Sequence, residues 1–154
     1  MCIRDRLTAG LNKAGFNKEN PFPVDMAVSQ YSNSGKKIKG EIQLADSGYG
    51  QGEILVNPIH LASMYSAFQN QGNMVKPHLE KGEKKSLWIK DVFSARAVKE
   101  INKALEQVIQ NPQGTGHGAA LSGKKLAGKT GTAEIKASQT DTSGTELGLS
   151  LIHI

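Results

Sequence analysis

Residues 123–131, with the sequence Gly-Lys-Lys-Leu-Ala-Gly-Lys-Thr-Gly, decide the fold of this chain, because two unrelated structures can be built on them. Residues 123–130 fit the phosphate-loop pattern G-x-x-x-x-G-K-S/T, in which main-chain N–H groups surround the phosphates of a nucleotide. Such a loop leaves a buried apolar strand and begins a helix. The alternative is that residues 126–134 form a strand, in which Gly128 and Gly131 leave space for the main chain of a ligand.

The flanking sequence favours the strand. Residues 113–122 are polar and glycine-rich, unlike a buried strand, and residues 132–144 are rich in turn-forming residues without an apolar stripe. The chain also contains no apolar run ending in Asp that could help to hold a magnesium ion. A P-loop nucleotide-binding protein therefore remains only a remote alternative.

The composition argues against several other classes of function. The formal net charge is +5 at pH 7, but the charges are scattered, so we expect a basic surface and no nucleic-acid partner. No apolar stretch reaches the roughly 20 residues that cross a bilayer. Cys2 is the only cysteine, and the four histidines lack the spacing of metal ligands, so no metal site is expected.

Both ends of the chain look foreign to the rest. Residues 1–6 (Met-Cys-Ile-Arg-Asp-Arg) and residues 149–154 (Leu-Ser-Leu-Ile-His-Ile) resemble translated read-through of a sequencing adapter. We therefore expect two non-native tails, 1–6 and 149–154, around a partial domain that occupies residues 7–148.

Capping residues and apolar spacing predict three helices. The first closes within residues 7–16, with Gly15 just beyond its end. The second begins at Asn57 and Pro58, a capping side chain followed by Pro at the first helical position, and is closed by Gly72. Its predicted core stripe consists of Ile59, Leu61, Ala62, Tyr65 and Phe68. Ser94 caps the third helix, whose predicted stripe is Val98, Ile101, Leu105 and Val108.

The segments between these helices are predicted to be irregular or extended. Residues 17–41 have the composition of a loop, and residues 43–53 form a glycine-spaced turn. Residues 75–79 should be extended, because the residue before Pro77 is disfavoured in a helix. Together with the strand over residues 126–134, these elements predict an α/β (α+β) chain in which an antiparallel sheet is flanked by helices.

Several motifs in a fixed order resemble one known family. They are Ala45-Asp-Ser-Gly-Tyr-Gly-Gln-Gly-Glu53, Asn57-Pro58, Gln71-Gly-Asn73, Lys76-Pro-His-Leu79 and Ala127-Gly-Lys-Thr-Gly-Thr-Ala-Glu134. This series is similar to the C-terminal part of the transpeptidase domain of class B penicillin-binding proteins, above all to the low-affinity, methicillin-resistance type of Gram-positive bacteria. Lys129-Thr130-Gly131 matches the K-T-G signature of these enzymes.

The resemblance implies a fold, a reaction and a location. The fold would be a fragment of the serine β-lactamase/transpeptidase-like fold. The parent protein would be a peptidoglycan D,D-transpeptidase, anchored on the outer face of the bacterial cell membrane. Its serine would attack the D-Ala-D-Ala bond of a stem peptide, pass the acyl group to a neighbouring amine, and be acylated by β-lactams. Neither a cofactor nor a metal is implied.

The resemblance also assigns roles to residues of this chain. Lys129 would place a positive charge beside the terminal carboxylate of the substrate and the serine, and Thr130 would donate its hydroxyl to that carboxylate. Gly131 would let the substrate lie alongside as an added strand, and the main-chain N–H of Thr132 would bind the developing oxyanion. A substrate-binding role is also assigned to Tyr49 and Gln51, which match a loop at the border of the cleft.

The nucleophile of the family has no equivalent in this sequence. The family requires Ser-x-x-Lys at the start of a buried helix and then Ser-x-Asn, and no Ser-x-Asn occurs here. Ser34 with Lys37, and Ser122 with Lys125, match the first pattern, but neither pair begins an apolar helix, and we interpret both as chance. The chain alone is therefore expected to be inactive. A catalytically inactive penicillin-binding homologue or a scaffold stays open as an alternative.

Overall fold

The computed structural model describes residues 2–35, 37–135, 143 and 145–153. The chain divides into two compact units, Met1–Val98 and Lys99–Ile154. Helix α4 (Ala95–Gln110) runs across the boundary between them. Of the helices in the described ranges, none combines the length and apolar character needed to cross a membrane.

In the described part of the first unit, three complete helices accompany a small antiparallel sheet. The helices are α1 (Ile3–Lys13), α2 (Glu41–Gly48) and α3 (Pro58–Gln69), and strands β1 (Met74–Val75) and β2 (Leu87–Ile89) form the sheet. Helix α1 ends as predicted, because Gly15 follows its capping residue with a φ of +94°, a left-handed conformation that Gly adopts without steric cost. Helix α1 begins at Ile3, inside the segment that we expect to be non-native, and the origin of that segment stays a prediction.

The predicted start of α3 is confirmed. The side-chain oxygen of Asn57 accepts hydrogen bonds from the main-chain N–H groups of Ile59 and His60, at 2.9 and 3.3 Å. Pro58 occupies the first helical position. The helix ends at Gln69, slightly before the predicted closure, and Gly72 follows with a φ of +87°. A Cβ at Gly72 would lie 2.1 Å from the carbonyl oxygen of Phe93, so only glycine fits where the two segments meet.

Two expectations for the first unit are wrong. Part of the predicted turn is helical, since α2 covers Glu41–Gly48; its Ser47 is buried and its Leu44 packs against the core. The buried face of α3 is His60, Ser63 and Ala67, whereas Ala62 is exposed and Tyr65 is half-buried. Small and polar residues lie against the core because they allow close approach and, at His60, find hydrogen-bond partners.

His60 is the polar centre of the first unit. The imidazole is fully buried, with Nδ1 2.7 Å from the hydroxyl of Ser29 and Nε2 2.8 Å from the carbonyl oxygen of Ala14. Because a carbonyl can only accept, Nε2 carries the proton and Nδ1 accepts from Ser29. The Ser29 oxygen itself accepts from the main-chain N–H of Asn57 at 2.9 Å. This network is fully satisfied only when His60 is neutral.

The apolar core surrounds this network. Its buried members come from segments far apart in the sequence: Ala14, Phe16, Tyr31, Ile38, Ala67, Met74 and Val92. The ring of Phe16 meets that of His60 edge-on, with centroids 5.2 Å apart, and Trp88 lies 5.0 Å from His60. The core therefore joins α1, α3 and the small sheet around one imidazole.

The second unit is built from the end of α4 and a long antiparallel pair. Strand β3 (Ala127–Ile135) pairs with β4 (Thr145–His153) over the full length of both. A short 3₁₀ helix, His117–Ala119, lies between α4 and β3. Ser94 caps α4 as predicted, by accepting from the main-chain N–H of Ala97 at 3.2 Å. Leu105 is buried as predicted, together with Ile109, whereas Ile101 is 41% exposed.

The decisive segment is a strand. Residues 123–126 lead into β3, and the residues that follow Thr130 continue the strand as far as Ile135. The phosphate-loop alternative is therefore wrong, since its Lys and Thr would have to begin a helix. The predicted α/β (α+β) class, with helices and antiparallel strands, is confirmed, although the described strands form two small sheets.

We predict that His60 makes the stability of the first unit depend on pH. Burial lowers the pKa of His60, and the hydrogen bond to Ala14 opposes this only in part. Above the ordinary pKa of about 6.5 both folded and unfolded forms are neutral at this position. Below it the unfolded chain binds a proton that the folded chain resists, so the free energy of unfolding should fall.

Urea unfolding followed by the fluorescence of Trp88, at about pH 7.5 and about pH 5.5, measures this effect. The variant His60→Gln should lose most of the pH dependence, whereas His78→Gln, at an exposed position, should retain it. An unchanged pH dependence in His60→Gln would contradict the assignment.

Candidate active site

Strand β3 positions the four predicted site residues of the second unit. Lys129, Thr130, Gly131 and Thr132 pair with Leu151, Ser150, Leu149 and Gly148 of β4, respectively. Three of these four partners lie within residues 149–154, the segment whose non-native origin stays a prediction. Side chains alternate between the two faces of a strand, so Thr130 and Thr132 share one face and Lys129 points to the other. Within the residues that the structure describes, this sheet has two strands, and one edge of β3 therefore faces no other strand.

The ammonium group of Lys129 is hydrogen-bonded to the main chain of its own strand, β3. The side chain is exposed, and Nζ donates a hydrogen bond to the main-chain carbonyl of Thr130. The aliphatic stem therefore turns along β3, and the charge lies beside the next residue of the signature. This brings the cation close to Thr130 although the two side chains start on opposite faces.

Thr130 has a hydroxyl partner that the sequence analysis missed. Its Oγ1 lies 2.9 Å from Oγ1 of Thr115, in the loop after α4. The beginning of the strand is fixed to the same helix, because the side-chain amide of Gln110 donates to the carbonyl oxygen of Leu126 at 3.2 Å. An ion pair of 2.9 Å between Lys125 and Glu106 adds a second link. The feature of the sequence that could have drawn attention to Thr115 is its position between two glycines, Gly114 and Gly116.

Tyr49 and Gln51 lie in the first unit, in the turn after α2. Both residues are exposed, and Asp46 organises the turn around them. The Tyr49 hydroxyl donates to Oδ1 of Asp46 at 2.7 Å, and the main-chain N–H of Gln51 donates to the Asp46 carbonyl oxygen at 3.0 Å. A Cβ at Gly52 would lie 2.9 Å from the Cβ of Asp46, which explains the glycine there. Asp46 was not singled out from the sequence.

The environment of Tyr49 favours its neutral form. The hydrogen bond to the Asp46 carboxylate raises the pKa of Tyr49, and the negative charge of Asp46 adds to the effect. The phenol is therefore a hydroxyl fixed in direction at the surface of the turn. The structure brings Lys129, Thr130, Gly131 and Thr132 together on one strand, and Tyr49 and Gln51 together on one turn.

Neither Ser-x-x-Lys match begins a helix. Ser34 lies in an exposed turn, where its hydroxyl donates to the main-chain carbonyl of Lys37 at 3.1 Å. Ser122 lies in an exposed turn before β3, and the side chain of its partner Lys125 is 73% exposed and paired with Glu106. A desolvated lysine next to a serine, which this chemistry requires, is present at neither position.

Comparison with known proteins identifies the family. The model of the penicillin-binding protein transpeptidase domain matches residues 4–151 of this chain. The chain belongs to the penicillin-binding protein transpeptidase family. Penicillin-binding protein 3 of Bacillus subtilis is 38% identical over 146 residues, which are 94% of this chain and 22% of that protein. The chain thus spans about a fifth of the length of that relative.

Solved structures show the same fold. Penicillin-binding protein A of Mycobacterium tuberculosis, described as a ceftriaxone acyl-enzyme complex, superposes with a TM-score of 0.76 at 18% identity, covering 96% of this chain and 34% of that one. The transpeptidase domain of penicillin-binding protein 3 from Burkholderia pseudomallei superposes with a TM-score of 0.73 at 22% identity, covering 94% of this chain and 46% of that one. The predicted transpeptidase-like fold is therefore confirmed.

We predict that removing the Asp46 carboxylate lowers the pKa of Tyr49. The variant Asp46→Ala should return it towards the ordinary value of about 10, because the phenol loses both its acceptor and a nearby negative charge. A pH titration of ¹³C-labelled tyrosine rings by NMR measures this, with the Tyr49 signal assigned from Tyr49→Phe. Asp25→Ala, which removes a charge elsewhere in the unit, should leave the titration unchanged. Identical Tyr49 titrations in wild type and Asp46→Ala would exclude the interaction.

Proposed function

We propose that this chain is part of a serine D,D-transpeptidase that cross-links peptidoglycan and is acylated by β-lactams. The observation that supports this best is the Lys-Thr-Gly signature on an antiparallel strand with one edge facing no other described strand. It occurs in a chain that matches the transpeptidase family over residues 4–151. An acylated structural neighbour, penicillin-binding protein A, is consistent with the same chemistry.

The proposed roles follow from the position of each group on β3. A stem peptide ending in D-Ala-D-Ala would add as a strand at the edge of β3, where Gly131 has no side chain to obstruct it. The Lys129 ammonium and the Thr130 hydroxyl would bind its terminal carboxylate by a charge and a hydrogen bond. The main-chain N–H of Thr132 would donate to the oxyanion as the tetrahedral intermediate forms. Tyr49 and Gln51, on the turn after α2, would keep the substrate-binding role that the family resemblance assigns to them.

The nucleophile would come from a part of the parent protein outside residues 1–154. After attack, the serine oxygen would carry the acyl group, and the D-Ala amine would leave with a proton from a general acid. An amine of a second stem peptide, or water in a carboxypeptidase side reaction, would then release the acyl group. We further propose that the parent belongs to the methicillin-resistance type and acts at the outer face of the cell membrane.

The second candidate is a catalytically inactive homologue that serves as a scaffold. It stays open because the two serines with Ser-x-x-Lys spacing, Ser34 and Ser122, both lie in exposed turns, so the described residues supply no nucleophile of their own. The reading frame of the parent distinguishes the candidates, because an active enzyme requires Ser-x-x-Lys and Ser-x-Asn upstream of Lys129.

We predict that the 154-residue chain forms no covalent adduct with a labelled penicillin. Acylation requires a hydroxyl activated by a neighbouring base and directed at an oxyanion hole, and β3 supplies only the strand side of that hole. Intact-mass spectrometry after incubation with penicillin is the measurement. An adduct at Ser34 or Ser122 would show that one of these residues is a real nucleophile.

In the full-length parent, we predict that Lys129→Ala slows acylation by penicillin about 10²-fold to 10³-fold, a loss typical of removing one preorganised electrostatic contact from an active site. Lys124→Ala, an exposed lysine of the turn before β3, is the matched control and should be acylated at the wild-type rate. Stopped-flow labelling with a fluorescent penicillin gives the second-order rate constant. Equal rates for the two variants would exclude the proposed role of Lys129, and an unreactive wild-type parent would favour the inactive homologue.

A further inference from the structure

The hydroxyl groups of Thr115 and Thr130 form a pair in the second unit. Their Oγ1 atoms are 2.9 Å apart, a normal distance for a hydrogen bond between two hydroxyls. Thr115 is exposed and Thr130 half-buried, so the pair lies at the surface of the unit. Either hydroxyl could donate from the geometry alone.

The loop that carries Thr115 is fitted closely to the end of α4. A Cβ at Gly114 would lie 2.3 Å from the carbonyl oxygen of Val108, and a Cβ at Gly116 would lie 2.7 Å from Cδ1 of Ile109. Glycine on both sides therefore lets the main chain around Thr115 approach the helix more closely than any other residue could.

Hydrogen bonds to the last turns of α4 hold this loop in place. The main-chain N–H of Gly116 donates to the Val108 carbonyl oxygen at 3.0 Å, and Nδ1 of His117 lies 3.0 Å from the Ile109 carbonyl oxygen. The same helix fixes the start of β3 through Gln110 and Leu126. The two hydroxyls thus belong to segments that are both anchored to one helix end, and their contact is built into the fold of the unit.

We propose that Thr115 is a positioning residue that orients the proton of Thr130 towards the substrate carboxylate. A hydroxyl has one proton to donate and two lone pairs that accept. If Thr130 donated to Thr115, its lone pairs would face the carboxylate and repel it. When Thr115 donates, the proton of Thr130 is free for the carboxylate, and the hydrogen bond received from Thr115 polarises it further. This inference rests on the proposed function of Thr130.

The first test is acylation of the full-length parent by a labelled penicillin. Thr115→Val keeps the shape but removes the hydroxyl, and the rate constant should fall about threefold to tenfold, the effect of one neutral hydrogen bond. Thr115→Ser keeps the donor and should remain within about twofold of wild type. In a Thr130→Val background, Thr115→Val should have no further effect, because the proton that it orients is gone.

A second pair of variants tests the placement of the loop. Gly114→Ala places a methyl group 2.3 Å from the main-chain carbonyl oxygen of Val108 and should reduce acylation, whereas a Cβ at Gly118 meets no atom within 4 Å, so Gly118→Ala should not. Equal losses from Thr115→Val with and without the Thr130 hydroxyl would show that Thr115 acts only through stability and would overturn the proposal.

A measurement without catalysis separates this inference from the proposed function. In the 154-residue chain, the methyl NMR signal of Thr130 should shift in Thr115→Val and change little in Thr115→Ser. If the parent is not acylated at all, the proposed function fails, and the positioning role falls with it even if the NMR shift is found. If the parent is acylated but neither the rate nor the Thr130 signal responds to Thr115→Val, the positioning role alone is wrong.

Discussion

The antiparallel pairing of β3 with β4 in one register is the constraint on which the candidate site depends. Side chains alternate along a strand, so a shift of one residue would exchange the faces of Lys129, Thr130 and Thr132 at once. The register is supported from outside the sheet by Gln110, which fixes the first carbonyl before β3, and by the contact of Thr130 with Thr115. The end of helix α4 therefore forms hydrogen bonds both with the start of β3 and with the loop that precedes it.

The first unit consists of a small core with a surface turn, and hydrogen bonds hold both together. Its centre is a chain of hydrogen bonds from Asn57 through Ser29 and His60 to Ala14, which joins the start of α3 to the end of α1. A buried polar network of this kind stabilises a fold only when every member has a partner. In the turn with Tyr49 and Gln51, Asp46 has a comparable role, because its side chain and its carbonyl oxygen both accept hydrogen bonds.

The sequence alone was sufficient to predict the helix ends and the strand that are determined by neighbouring residues. Asn57 and Ser94 cap their helices as predicted, Gly15 ends α1, and the glycine-spaced segment around Lys129 is a strand. Helix α2 was missed because its polar residues, and the glycines at its end and just after it, are typical of turns, whereas the packing of Leu44 against the core is visible only in the folded chain. The buried face of α3 was assigned wrongly because apolar spacing gives no weight to a histidine that finds two partners far away in the chain. Thr115 escaped notice for the same reason, because its partner Thr130 lies 15 residues away. The partners of Asp46, Tyr49 and Gln51, are close in the sequence, but the composition of a turn does not show which groups its carboxylate and carbonyl oxygen bind.

The way in which Lys129 is held has a consequence for how a ligand approaches. Its ammonium group is fixed by a carbonyl oxygen, a neutral acceptor, and forms no ion pair with the carboxylates whose side chains the structure describes. A neutral acceptor restrains the position of the cation while leaving its charge uncompensated. The field of that charge extends into solvent over about 10 Å at moderate ionic strength before salt screens it. An anionic ligand would therefore be attracted before it touches the strand. As the salt concentration rises, its association rate constant would fall more than its dissociation rate constant would change.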